Sequence, residues 1–160
     1  MKRSILAGIS LLCFLTLASC KNTTSVASFS VSETECLGVE LDGSQTVRAW
    51  GTGRDKADAV EQARKNAVYD ILFKGIRGGV GGCAVRPLLT EVNAAERHER
   101  YFNAFFKDRG EYRKYASQKD ERSGSKISES NQSQVKYGVV VRVLRSELKE
   151  KLIQDGIIKE

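Results

Sequence analysis

The sequence predicts an α+β fold: a small, mainly antiparallel sheet of about three strands packed against two to three helices. Three observations carry this. Residues 134–144 alternate apolar and other side chains as a half-buried strand does, residues 55–72 repeat apolar groups at spacings of three and four, and a polar segment at 119–133 separates two strand-like runs. With 160 residues and 41% apolar side chains, one compact domain fits the chain length, and mixed charges argue against a disordered polyampholyte.

The first 19 residues differ in kind. Lys2 and Arg3 precede an apolar stretch from Ile5 to Ala18 that holds no acidic residue, the pattern of a signal peptide. It is shorter than the roughly 20 residues that span a bilayer core. Residues 21–32, rich in Ser and Thr, read as a flexible tether, and the domain is expected over 33–160.

Gln45 to Gly53 reads as a strand leaving its sheet on two glycines. A helix follows, with Asp55 as N-cap and Ala57, Val60, Ala63, Ala67 and Ile71 on its buried side, joined by Val68 and Leu72. Small alanines there predict close packing across the strands. Gly75 to Gly82 holds five glycines in eight residues and reads as a mobile spacer loop ahead of Cys83 and Pro87. A second helix is expected from Asn93 to about Lys107, its stripe of Tyr101, Phe102, Phe105 and Phe106 in the core. Glu111 to about Gln118 reads as a strand, residues 119–133 as a loop or hairpin tip, and Gln134 to Leu144 as the clearest strand. In this last, Val135, Tyr137, Val139, Val141 and Val143 share one face. A short helix from Ser146 places Leu148, Leu152 and Ile153 inward and closes at Asp155-Gly156, with Ile157 and Ile158 packing back. The last two strands should be antiparallel.

Four cysteines are present. Cys13 lies in the signal segment, and Cys36 and Cys83 suit one disulfide in an oxidising compartment. Two buried free thiols, a redox pair or half of a metal site are the alternative readings. One histidine in the chain and no C-x-x-C spacing weigh against metal or redox chemistry.

No catalytic set stands out. Gly51-Thr52-Gly53 before a helix suggests a dinucleotide fingerprint, but Lys56 occupies the third glycine's place and Asp55 puts a carboxylate where phosphate would sit, so a tight turn with a helix cap is the reading. The loop with Arg77 lacks the Lys-Ser or Lys-Thr pair of a phosphate loop. His98 lies beside Glu96, Arg97, Glu99 and Arg100, which read as a solvated, salt-bridged helix face. Arg109, Tyr112, Arg113 and Tyr115, with Lys114, interleave basic and aromatic groups and form the candidate ligand surface, although a strand with half-buried tyrosines is the plainer reading. No metal and no cofactor is expected.

Leu17-Ala18-Ser19-Cys20 resembles the lipobox of bacterial lipoproteins at all four positions. The resemblance implies cleavage before Cys20 and acyl chains on that cysteine, with membrane lipid as its first partner. Two or more chains give a stable anchor. Cleavage would leave 24 basic against 20 acidic side chains, a weak, salt-sensitive attraction for anionic surfaces. Export disfavours nucleic acid. Lys21-Asn22 lacks the aspartate of inner-membrane retention and no acidic run follows, so the outer membrane facing the periplasm is the expected site.

A strand ending Ala49-Trp50-Gly51-Thr52-Gly53, an alanine-rich helix through Asp58-Ala59 to Ala67, and a Val-rich strand running into a Leu-containing helix resemble the N-terminal domain of flagellar assembly protein T and related small outer-membrane lipoproteins. The whole chain is similar to small lipoproteins of Bacteroides-type envelopes. Its aromatic second helix, glycine-rich loop and cysteine pair depart from that pattern. The resemblance implies a non-enzymatic binding or assembly module with an envelope protein or surface polymer as partner. An envelope hydrolase acting on peptidoglycan or glycan, and a structural subunit oligomerising through a sheet edge, are the alternatives.

Overall fold

The computed structural model describes residues 33–117, the backbone of 128–130, and residues 134–159. The signal segment, Cys20 and the tether therefore lie outside the described residues, as does most of the polar segment 119–133. The elements run β1 (Glu35–Val39), β2 (Gln45–Gly53), α1 (Lys56–Phe73), β3 (Gly78–Gly79), α2 (Ala94–Arg97), α3 (Glu99–Phe105), a 3-10 turn (Glu111–Lys114), β4 (Ala116–Ser117), β5 (Ser128–Ser130), β6 (Val135–Val143) and α4 (Arg145–Gln154).

The α+β class is as expected, but the sheet is larger and mixed. Its order is β3-β1-β2-β6-β4, with β5 also on β6. All pairings are antiparallel except β1 with β3. Three strands have five residues or more, and these are the antiparallel centre. The three short strands trim its edges: β3 lies on β1, while β4 and β5 follow one another along the side of β6 that β2 leaves open.

The ladder between β2 and β6 is the backbone of the molecule. Its register pairs Val47 with Val141, Ala49 with Val139 and Gly51 with Tyr137, so the two alternations expected from sequence share one face. On that face lies α1. Asp55 caps it by accepting the Asp58 N–H at 2.9 Å, and Ala59, Ala63, Ala67, Val68, Ile71 and Leu72 are buried against the strands. A Cβ on Gly51 would stand 2.1 Å from the Ala59 carbonyl oxygen and 2.3 Å from the Ala63 nitrogen. The helix thus touches the strand backbone, as the small alanines predict.

Four expectations need correction. β1 is a strand that the sequence pattern does not announce, because only Cys36 is buried in it and a bulge between Cys36 and Gly38 breaks its alternation. The glycine-rich segment is no loose spacer, since it holds β3 and then folds back so that Leu88 and Leu89 donate to the Ile71 and Leu72 carbonyls. The aromatic helix is two pieces, broken at His98 with φ −111° and ψ 30°. The strand expected from Glu111 is a 3-10 turn plus two extended residues. Tyr112 and Tyr115 are three apart and both buried, which a threefold turn satisfies and a strand, with its period of two, does not.

Cys36 and Cys83 are disulfide-bonded, with Cα atoms 5.7 Å apart. The bond fastens β1 to the segment after α1, and closing so long a loop is worth about 4 kcal/mol on the chain-entropy estimate. The core continues from the sheet through Phe102, Phe105 and Tyr112 to Leu148 and Leu152 of α4, with Ile157 and Ile158 packed on it. No helix among the described residues is long and apolar enough to cross a membrane.

Candidate functional site: an aromatic-floored groove

Helix α1 presents two stripes. Beside the buried alanines, Gln62, Lys65, Asn66, Tyr69 and Phe73 recur at spacings of three and four along its flank. The break at His98 lets α2 and α3 lie beside that flank with Ala95, Glu96, Glu99, Phe102, Asn103 and Phe106 turned toward it. Together the two sets line a groove of about 520 Å³, within the range of small-molecule and peptide sites.

Its floor is a run of touching rings. Tyr69 and Phe73 have centroids 4.7 Å apart, Phe73 meets Phe102 edge-on at 4.9 Å, and Tyr69 faces Phe106 at 6.1 Å. Such pairs add about 0.5–1.5 kcal/mol each beyond area burial, which holds the floor rigid. Tyr69 keeps 37% of its surface exposed and Lys74 lies 5.3 Å over its ring. The α1 wall is amide-rich: Gln62 donates to Asn66 at 2.9 Å, and Asn66 donates to the Trp50 carbonyl at 2.7 Å. Lys65 on that wall is tied to Asp108 at 2.8 Å, which lowers the Asp108 pKa chiefly through the hydrogen bond from Lys65. Glu96 and Glu99 stand exposed on the opposite wall.

The residues singled out from sequence fall in different places. Glu96 and Glu99 enter the groove. His98 does not line it; its Nε2 faces Glu91 at 3.5 Å and its ring sits edge-on to Phe102. The basic and aromatic patch is divided. Tyr112 is fully buried and its hydroxyl donates to Glu61, while Arg113 Nε donates to the same carboxylate at 2.6 Å, which raises the Arg113 pKa. Tyr115 is 8% exposed and stacks on Phe105 at 6.0 Å. Arg109 is exposed, in a left-handed turn at φ 60°. The tyrosine rings are therefore core groups, Tyr112 fastening the 3-10 turn to α1 and Tyr115 packing on α3, unavailable for stacking on a ligand.

Gly51 and Gly53 exist for the close approach of α1; a Cβ on Gly53 would lie 2.5 Å from the Ala59 nitrogen. That leaves no space for a pyrophosphate. Among the described residues no three His, Cys, Asp or Glu side chains gather as a metal site needs. At the joint of α3 and α4, Asp155 accepts from Lys151 at 2.6 Å and from Tyr101 at 2.6 Å. Its pKa is lowered, first by Lys151 and then by Tyr101, and burial raises that of Tyr101. This cluster braces the helices.

No protein-family model, curated protein or solved structure matches this chain.

Proposed function

We infer that the protein is a lipid-anchored lipoprotein of the bacterial envelope, cleaved before Cys20 and held at the outer membrane facing the periplasm, where it acts as a non-enzymatic binding or assembly module. The resemblance to the N-terminal domain of flagellar assembly protein T and to small envelope lipoproteins supports an assembly role. The groove between α1 and α3 carries the binding reading, because it offers touching aromatic rings at its floor, amides on one wall and two exposed carboxylates on the other. Its occupant is a segment of an envelope protein that places an apolar or aromatic side chain on the rings and a Lys or Arg beside Glu96 and Glu99.

The hydrolase alternative has one observation in its favour, the presence of two carboxylates in a groove with an aromatic floor. A glycosidase sets its carboxylates on either side of the scissile bond. Here both come from the α2–α3 wall, and α1 contributes none to the lining.

Peptide display against the purified full-length chain tests the reading. Enriched peptides should pair an aromatic or branched apolar residue with Lys or Arg, and their binding should fall at least tenfold, about 1.4 kcal/mol, in a Glu96→Lys, Glu99→Lys variant. Enrichment of acidic peptides, or binding indifferent to those substitutions, refutes it.

A further inference from the structure

The two walls of the groove run in opposite directions, and its ends differ in charge. Phe73 meets Phe102, Tyr69 meets Phe106, and Lys65 meets Asp108 just past α3, so numbers falling along α1 match numbers rising along the other wall. Glu99 precedes Phe102 by about one turn and Glu96 precedes it by about two, which puts both exposed carboxylates at the Phe73 end. The other end is cationic. The Lys65 Nζ is held 5.6 Å over the ring of Tyr112, itself stacked on Phe106, and only 19% of the Lys65 side chain is exposed. Its partner is the reverse case, since the Asp108 side chain is 95% exposed. An ion pair this open on one side is worth little, so a fixed cation is matched with a carboxylate that another can replace. Arg113 and Arg109 stand close enough to join Lys65 in lowering the Asp108 pKa, and they add to the positive field at this end.

Beside Lys65, a pair of amides is oriented by its first contact. The Trp50 carbonyl can only accept, so Asn66 turns its Nδ2 there at 2.7 Å and its Oδ1 to Gln62; Gln62 must then donate Nε2, at 2.9 Å, and is left with Oε1 as an acceptor on the groove. No residue of α1 before Gln62 lines the groove, so an occupant stops at this point.

We propose that the groove takes the C-terminal end of a peptide: its terminal carboxylate replaces Asp108 on Lys65, the last peptide N–H donates to Gln62 Oε1, an apolar or aromatic side chain lies on the rings, and a Lys or Arg reaches Glu96 and Glu99. The proposal rests on the reading of the groove as a peptide site and adds that the peptide is a chain end bound in one direction. Charge complementarity carries it, because an internal segment brings no anion of its backbone to Lys65, whereas a chain end brings one and needs no room beyond it. Lys65 and Phe73 are about 12 Å apart along α1, with Glu99 beyond, and an extended chain advances about 3.3–3.6 Å per residue. The basic residue therefore stands about four positions before the C-terminus.

The experiment uses the full-length chain and the pentapeptide acetyl-Arg-Ala-Phe-Ala-Ala, as the free acid and as the C-terminal amide, with binding read by calorimetry. The acid should bind at least tenfold more tightly than the amide. Lys65→Met should shrink that difference to twofold or less. Asp108→Asn, which removes the competing carboxylate and leaves the lysine in place, should tighten the acid at least threefold and leave the amide unchanged. Equal affinity for acid and amide, lost for both in the Glu96→Lys, Glu99→Lys variant, overturns the proposal and leaves the peptide-groove reading intact, as does an Asp108→Asn chain that binds the acid no better. Affinity for either form that the Glu96→Lys, Glu99→Lys variant does not change, or no affinity for either form, overturns both.

Discussion

The two sides of α1 obey opposite packing rules. Toward the sheet, Ala59, Ala63 and Ala67 meet Gly51 and Gly53 so tightly that the strand has no room for a methyl group. Toward α3, Gln62, Asn66, Tyr69 and Phe73 are long or flat; Tyr69 and Phe73 meet the rings of Phe106 and Phe102 at the floor, and about 520 Å³ stays open between the walls. Small residues set the helix in place, and large ones, a quarter-turn away, make use of that fixed position. Residues that look like a nucleotide motif in the sequence belong to the first side, and the groove belongs to the second.

Removing the staple should have the largest effect, and it should spare that contrast. Cys36→Ser with Cys83→Ser is expected to cost about 4 kcal/mol of unfolding free energy in a denaturant titration, while peptide binding in the groove persists at low temperature. Next, Gly51→Ala strikes the closed side directly. The added methyl must push on the Ala59 carbonyl and the Ala63 backbone, and overpacking of this kind costs about 1–3 kcal/mol or more; a fully stable Gly51→Ala protein would break the account of the α1 contact. On the open side, Tyr69→Ser gives up the ring pairs with Phe73 and Phe106, which should lower stability by about 1–3 kcal/mol, and it should also remove most of the peptide affinity measured by calorimetry.

The smallest effect is one of pH, and it lies outside both sides. Asp42 has its pKa lowered to about 2, first by hydrogen bonds from the Ser44 side chain and backbone and then by Arg142. A carboxylate with a depressed folded-state pKa contributes fully above the ordinary range near 4 and loses that contribution as pH falls toward 2. The Ser44 N–H, which donates to Asp42 Oδ1, should therefore shift in NMR spectra with a midpoint near pH 2, and a midpoint near 4 would show that the turn is not held this way.

Much of the centre of the fold was legible in the sequence. β2, α1, β6 and α4 follow from period-two and period-3.6 patterns, a cap and a stop, and the bond between Cys36 and Cys83 is one of the readings that the cysteine count leaves open. The edges were not legible, because β3, β4 and β5 are two or three residues long and exist only by pairing with strands already present. Tyr112 and Tyr115 misled for a related reason: aromatic groups three apart suit a buried turn as well as an exposed patch, and only the Glu61 carboxylate waiting on α1 decides it. The groove left one trace, the second stripe at 62, 66, 69 and 73. That stripe does not announce a site, because the alanine stripe already accounts for the helix and the opposing wall depends on a break at His98 that no glycine or proline marks.

The ladder between β2 and β6 joins residues near the start of the domain to residues near its end, from Gln45 with Val143 to Gly53 with Val135. Without β6, β2 is paired on one side alone, by β1, and the entropy of closing that long loop must be met before the contacts between β2 and β6 repay it. A chain stopped short of Val135 therefore lacks the centre of the domain and not merely its tail.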